Sequence, residues 1–210
     1  MVPETLELLS RAFDPAVEPP DDATSERVLN AALALAAASG MQNLTMDEIA
    51  ARAGVGRMTV YRRFGDKDRL LEALAVREGR RCLAELDAAS DTSAPIADQV
   101  AAGLATSLRI AREHPLLNRL ARVEPETVLN ALTADGAAMF ATSRAFVAGR
   151  LRESRRAGVL GDDVDVDGAA ELLVRLAFSF VLIQESVLPL DDEERVREVA
   201  RSLVAPVLGG

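Results

Sequence analysis

Apolar residues in this chain recur three and four positions apart, and that spacing predicts helices along nearly its whole length. A hydroxyl cap at Thr24 or Ser25 opens the first helix, with Val28, Leu29, Ala32, Leu33, Leu35 and Ala36 on one wide apolar face until Gly40 stops it. The stretch "LTMDEIAARAGVG" then places Thr45 as an N-cap with Glu48 three residues on, a capping box, and turns Ile49, Ala50 and Ala53 inward. Gly54 is free to take positive φ, Val55 turns inward, and Gly56 begins a third, short helix. Two short helices meeting across a Gly-containing turn have the grammar of a helix-turn-helix.

On that third helix Val60 and Phe64 share one side. Met58, Thr59, Tyr61 and Arg62 spread over the other, with Arg57 and Arg63 at the edges. Asp66 caps a long fourth helix whose Leu70, Leu71, Leu74, Leu83 and Leu86 point inward through to about Ala89. Further helices are predicted over residues 95–113, 115–123, 125–134, 135–157, 168–187 and 191–205, punctuated by prolines and by "AGVLGDDVDVDG". Residues 1–23, with Pro3, Pro15, Pro19 and Pro20 among scattered acids, bury little and read as a mobile acidic arm, with a short helix possible over 4–11.

Composition supports an all-α chain: aromatic residues make up 3%, there is no Trp, and Ala, Leu and Val abound. The 210 residues divide by pattern into the arm, a helix-turn-helix domain over 24–70 and a larger helical domain over 71–210. The apolar run from Ala169 to Ile183 is broken by Glu171, Arg175 and Ser179 and falls short of the ~20 residues a membrane span needs. One cysteine, Cys82, excludes an intramolecular disulfide, and the N-terminus lacks the pattern of a secretory signal, so a cytoplasmic location is expected. Cys82 itself reads as a small core residue.

Charge changes the picture. The formal net charge is −9, which argues at first against nucleic acid. Between Thr45 and Arg81, however, nine basic residues stand against six acidic ones, a local +3 that leaves 15 against 27, or −12, elsewhere. The chain's one lysine, Lys67, lies in this segment, at the first turn of the fourth helix, where backbone amides already favour an anion. A bare arginine cluster is usually a solvated face. Here the cap, the Gly turn, the inward Val55, Val60 and Phe64, and the outward polar arc agree, and together they point to a helix that enters the major groove. Thr59 and Tyr61 suit phosphates, Arg57 near the helix start suits a guanine edge, and Arg62 comes second.

The segment "LTMDEIAARAGVGRMTVYRRFGDKDRLLEAL" resembles the N-terminal domain of the TetR family of bacterial transcription regulators, over residues 25 to about 74. The resemblance implies phosphate contacts by Thr45, Thr59, Tyr61 and Lys67, and base contacts by Arg57, Met58 and neighbours; Arg62 and Arg63 are counted with them as DNA-binding candidates. Gly56 stands where the family often has Ser, and Arg63 where it often has His, an added cation that bears on sequence preference. It also implies a second domain that dimerises and binds a small-molecule effector.

The remaining two thirds give independent grounds for dimerisation. Helix 168–187 is apolar nearly all round and the last helix carries the stripe Val196, Val199, Ala200, Leu203 and Val204. Either Phe180, Ile183, Val196, Val199 and Leu203 meet a second copy, or both helices are buried within one. A homodimer predicts a palindromic operator in double-stranded DNA with half-sites about 34 Å apart or a multiple. For an effector, Phe140 and Phe178 are candidate contacts, and Arg144, in the stripe of Phe140, Val147 and Leu151, either meets an acidic ligand or pairs with a neighbouring carboxylate. His114, before Pro115 at a helix junction, suits a cap or the surface.

No cofactor or metal is expected. With one histidine, and Ala111 three before it, the inventory excludes a carboxylate-bridged di-iron bundle and a histidine zinc centre, and no Gly-rich phosphate loop or Gly-x-Ser-x-Gly elbow occurs. An all-α enzyme is therefore disfavoured, and a protein-binding adaptor would want apolar anchors where Arg and Tyr stand. The expected function is a sequence-specific regulator, a repressor, in which an effector alters the spacing of the reading helices through the fourth helix.

Overall fold

The structure, a computed structural model, describes residues 21–123, 137–183 and 185–208, and every regular element among them is helical. The predicted helix over 125–134 and the short helix in the arm lie outside those residues. By contacts the chain forms two compact units, residues 1–81 with 114–139, and 82–113 with 140–210.

The first unit opens with α1 (Ala23–Ser39). Its cap is Asp22, not the expected hydroxyl of Thr24 or Ser25: the carboxylate accepts from the amides of both residues and from Ser25 Oγ. Aspartate outcompetes a hydroxyl here because it carries full charge to the positive end of the helix. A 3-10 turn, Met41–Asn43, leads to α2 (Met46–Ala53), α3 (Arg57–Phe64) and α4 (Lys67–Ala88), and α6 (Pro115–Val123) returns to this unit from later in the chain. Val28, Leu29, Ala32, Ile49, Val60, Leu70 and Leu74 interlock in a core that Leu116 and Leu120 of α6 complete. Val55 and Tyr61 pack half-buried against it.

A polar cluster sits beside that core. Arg77 and Glu78 of α4 are both buried; Arg77 reaches Glu26 (3.1 Å) and Asn30 (2.9 Å) of α1, while its Nε donates to Glu78 (2.7 Å). His114 caps α6: the Leu117 amide donates to Nδ1 (3.3 Å), so Nε2 carries the proton and donates to Glu78 (2.9 Å).

The second unit takes the end of α4, α5 (Ile96–Glu113), most of α7 (Ala137–Arg156), α8 (Val166–Leu182) and α9 (Glu193–Val199). Its core joins Val100, Leu104 and Leu108 of α5 to Ala148 and Leu151 of α7, Val166 and Ala170 of α8, and Val196 and Ala200. The single hydroxyl proton of buried Ser154 is shared between Gln99 Oε1 (2.6 Å) and the Arg150 carbonyl (3.0 Å).

Two helix ends differ from expectation. α8 stops at Leu182 instead of running to Val187; beyond it the Ser186 hydroxyl accepts from the Leu188 amide (3.0 Å) just before Pro189, a local turn incompatible with helix there, and Val187 is fully exposed. The last helix is α-helical only to Val199; Ala200–Val204 winds as a π-helix and Ala205–Leu208 as a 3-10 turn. Pro206 lacks an amide proton and its ring crowds the carbonyl of Ser202, which favours a wider turn there.

Candidate nucleic-acid interface

The cap, the turn and the core fix α3. Thr45 and Glu48 form the full capping box: Thr45 Oγ1 accepts from the Glu48 amide (3.2 Å), and Glu48 Oε2 accepts from the Thr45 amide (3.2 Å) and hydroxyl (2.7 Å). Gly54 ends α2 in the left-handed region at φ 64°, ψ 40°. Arg27, reaching across from α1, donates to the carbonyls of Ala53 (2.6 Å) and Gly54 (3.0 Å), so α1 closes the end of α2 that precedes the turn. Val60 and Phe64 then press the inner side of α3 onto the core.

The outer side is solvent-facing. Met58 is 76% exposed, Arg57 and Arg62 are exposed, and Thr59 and Tyr61 are half-buried. Arg57 lies over the Tyr61 ring, 5.3 Å from its centroid, with Nη2 3.4 Å from the phenol oxygen and Nη1 3.0 Å from Asp47 Oδ2. The Tyr61 hydroxyl, and then the Asp47 carboxylate, raise Arg57 further above its already basic range, so it stays cationic.

Three of the expected contacts are already engaged within the chain. Thr45 spends its hydroxyl on the capping box. Lys67 donates from Nζ to the Gln42 carbonyl (2.8 Å), which ties the start of α4 to the turn after α1. Arg63 turns from the outer face toward the cap of α1, where Asp22 and Ser25 Oγ (3.1 Å) receive its Nη1. Its side chain is 28% exposed and its Nε is buried without a partner, so Arg63 braces α3 against α1. The Ser25 hydroxyl first, with Arg63 last among the causes, holds the Asp22 carboxyl below its usual range.

Sequence reasoning passed over Asp22, Arg27 and Asp47. Only Asp47 left a signal, an acid and a base in the first turns of two short helices that a tight turn brings together. Arg27's hold on the carbonyls of Ala53 and Gly54, and Asp22's hold on Arg63 beyond its local capping of α1, reach across 26 or more positions, outside any local pattern.

In the second unit, Phe140 and Phe178 stack with centroids 5.8 Å apart at 27°, and Arg175 lies over Phe140 at 4.8 Å. Arg144 meets Glu171 (3.5 Å), the internal pair, and Glu171 also holds Arg175 (2.6 Å). Of the residues assigned to dimerisation, Ile183 and Leu203 are 63% and 59% exposed, and Phe180 is half-buried against its own core. Val196 and Val199 require a correction: at 0% and 7% exposure they are spent inside their own unit and have no surface for a second copy. Val196, Ala200 and Val204 of that stripe pack into the core with α5, and Leu203 stays outside it. Cys82 is half-buried rather than in the core.

Among the described residues no group of His, Cys, Asp and Glu is arranged to hold a metal ion, and no helix is long and apolar enough to cross a membrane.

Comparison with known proteins matches residues 28–74 to the signature of "Bacterial regulatory proteins, tetR family" and residues 96–206 to "Bacterial Tetracyclin repressor, C-terminal domain". An HTH-type transcriptional regulator of Mycobacterium tuberculosis is 26% identical over 181 residues, covering 86% of this chain and 73% of its own. Two solved structures share the fold. GusR of Salmonella enterica superposes with a TM-score of 0.64 at 21% identity, over 88% of this chain and 95% of its own. FadR of Bacillus subtilis, solved with stearoyl-CoA, gives 0.60 at 18% identity, over 84% and 97%.

Proposed function

The chain belongs to the tetR family of bacterial regulatory proteins, and from that premise we propose that two copies read a palindromic operator through α3 and release it when a small molecule occupies the second unit. It is a helix-turn-helix transcriptional regulator, and the family is one of regulators, not enzymes. The observation that carries the DNA reading is the division of α3: Val60 and Phe64 fully committed to the core, Arg57, Met58 and Arg62 presented outward.

In this reading Arg57 and Arg62 donate to guanine edges and Met58 lies against a thymine methyl. Thr45 and Lys67, at the starts of α2 and α4, and Thr59 and Tyr61, on the outer side of α3, meet phosphates, and Arg63 holds the angle of α3. Ile183 and Leu203, large apolar side chains left in solvent, support an interface between two copies in which Phe180 is a flanking contact. The Phe140–Phe178 stack, with two arginines sharing the single carboxylate of Glu171, suits an effector with an apolar body and an anionic group beside Arg144. Repression follows if the operator overlaps a promoter.

Selection of bound duplexes from random DNA tests the reading. The expected product is an inverted repeat with half-site centres about one helical turn, or a multiple, apart. Enrichment of no duplex at low ionic strength would overturn it.

A further inference from the structure

We propose that Asp47 is a specificity-determining positioning residue: its carboxylate holds the Arg57 guanidinium in one pose, so that Arg57 reads a base edge instead of settling on whichever phosphate is nearest. The proposal rests on the DNA reading of α3 given above.

Asp47 lies at the second position of α2 and Arg57 at the first of α3. The turn between them is doubly secured, by the Val55 amide on the Ala50 carbonyl (3.1 Å) and by Arg27 on the carbonyls of Ala53 and Gly54. The two helix starts therefore keep a fixed separation. Within it Arg57 is confined between the Asp47 carboxylate, 3.0 Å from Nη1, and the face of Tyr61, which is itself packed against the core. A free arginine samples many rotamers, and immobilising it on DNA costs entropy; here that ordering is done before the groove arrives. Asp47 and the Tyr61 oxygen take two of the five guanidinium N–H donors, and guanine O6 and N7 need two of those that remain.

A carboxylate beside the reading helix also repels phosphate oxygens, on a chain whose net charge is already −9. Asp47 should thus lower affinity for every duplex while raising the choice among duplexes. That opposition separates positioning from the two plain alternatives. As a surface ion pair, with both side chains about 60% exposed, it would add little to stability and nothing to selectivity. As an acid in the first turn of α2 it would stabilise the helix regardless of Arg57.

The experiment compares full-length wild type, Asp47→Asn, Asp47→Glu, Arg57→Ala and the Asp47→Asn/Arg57→Ala double variant. Each is titrated with the selected operator, with the operator changed at each guanine in turn, and with a scrambled duplex. Asp47→Asn should bind the scrambled duplex a few-fold more tightly and lose about tenfold of its preference at one guanine only, the position that Arg57→Ala also relaxes. Asp47→Glu should keep part of that preference. In the Arg57→Ala background the tighter scrambled binding should persist while base preference no longer responds to Asp47. Unchanged preference in Asp47→Asn, or the same loss of preference without Arg57, would overturn the role of Asp47 while leaving the DNA reading intact. A wild type that selects no sequence overturns both.

Discussion

Replacing Glu78 by glutamine keeps the shape of the buried cluster and removes one charge. The oxygen of the new amide can still accept from Arg77 Nε, which lies 2.7 Å from Glu78 Oε1, and from Arg81 at 3.3 Å. Its NH2 must then face His114 Nε2, 2.9 Å from Glu78 Oε2 and already a donor. Moving the imidazole proton to Nδ1 sets it against the Leu117 amide, and flipping the amide sets its NH2 against Arg77 and Arg81. Every arrangement leaves two donors facing each other. Breaking a buried ion pair from one side costs about 3–5 kcal/mol. Glu26 and Asn30 still hold Arg77, so the expected loss is about 2–3 kcal/mol in chemical denaturation at pH 7.

The pH dependence gives a second reading of the same cluster. Burial pushes the Glu78 carboxyl up, but the His114 hydrogen bond, with Arg77 and Arg81, outweighs it and holds the group below its ordinary value of 4.5. A depressed carboxylate stabilises the fold above its unfolded value and loses that contribution as pH falls through the folded one. The gap between wild type and Glu78→Gln should therefore be full above about pH 5 and narrow as the solution is acidified below that. A variant within about 0.5 kcal/mol of wild type at pH 7, or a gap that does not shrink with acid, would refute this account.

Gly54→Ala puts a side chain at φ +64° with the Arg27 guanidinium 3.2 Å from the new carbon, and should destabilise the first unit by about 1–2 kcal/mol in thermal or urea unfolding. Lys67→Ala should weaken binding to all DNA sequences alike and flatten the salt dependence by about one charge, whereas Arg57→Ala should also relax choice at one base pair by about 5- to 150-fold; equal losses on every duplex for both would remove the division of roles. Ile183→Asp with Leu203→Asp should shift sedimentation from dimer to monomer while leaving the helical circular dichroism signal unchanged, since both side chains are exposed.

Local chemistry was legible in the sequence where it is self-contained. The Thr45–Glu48 box, the left-handed Gly54 and the inward Val60 and Phe64 depend on residues within four positions of one another, and period and caps declare them. Partners across the chain were not legible. Nothing near Arg63 says that it will be claimed by Asp22, nothing near Pro115 says that α6 completes the core of the first unit, and a stripe such as Val196 and Val199 looks the same whether it faces α5 or a second copy. His114 was the intermediate case. Its place before Pro115 announced a cap, while the Glu78 on its other nitrogen came from a helix 36 positions earlier.

The sidedness of α3 also bears on how such a regulator can change over generations. Met58 and Arg62 contribute nothing to the interior, so substitutions there leave the fold's tolerance intact and, on the proposed reading of α3, change which operator is recognised. New targets are thus open to single codon changes, and duplicated copies of this gene can diverge in address without first passing through an unfoldable ancestor.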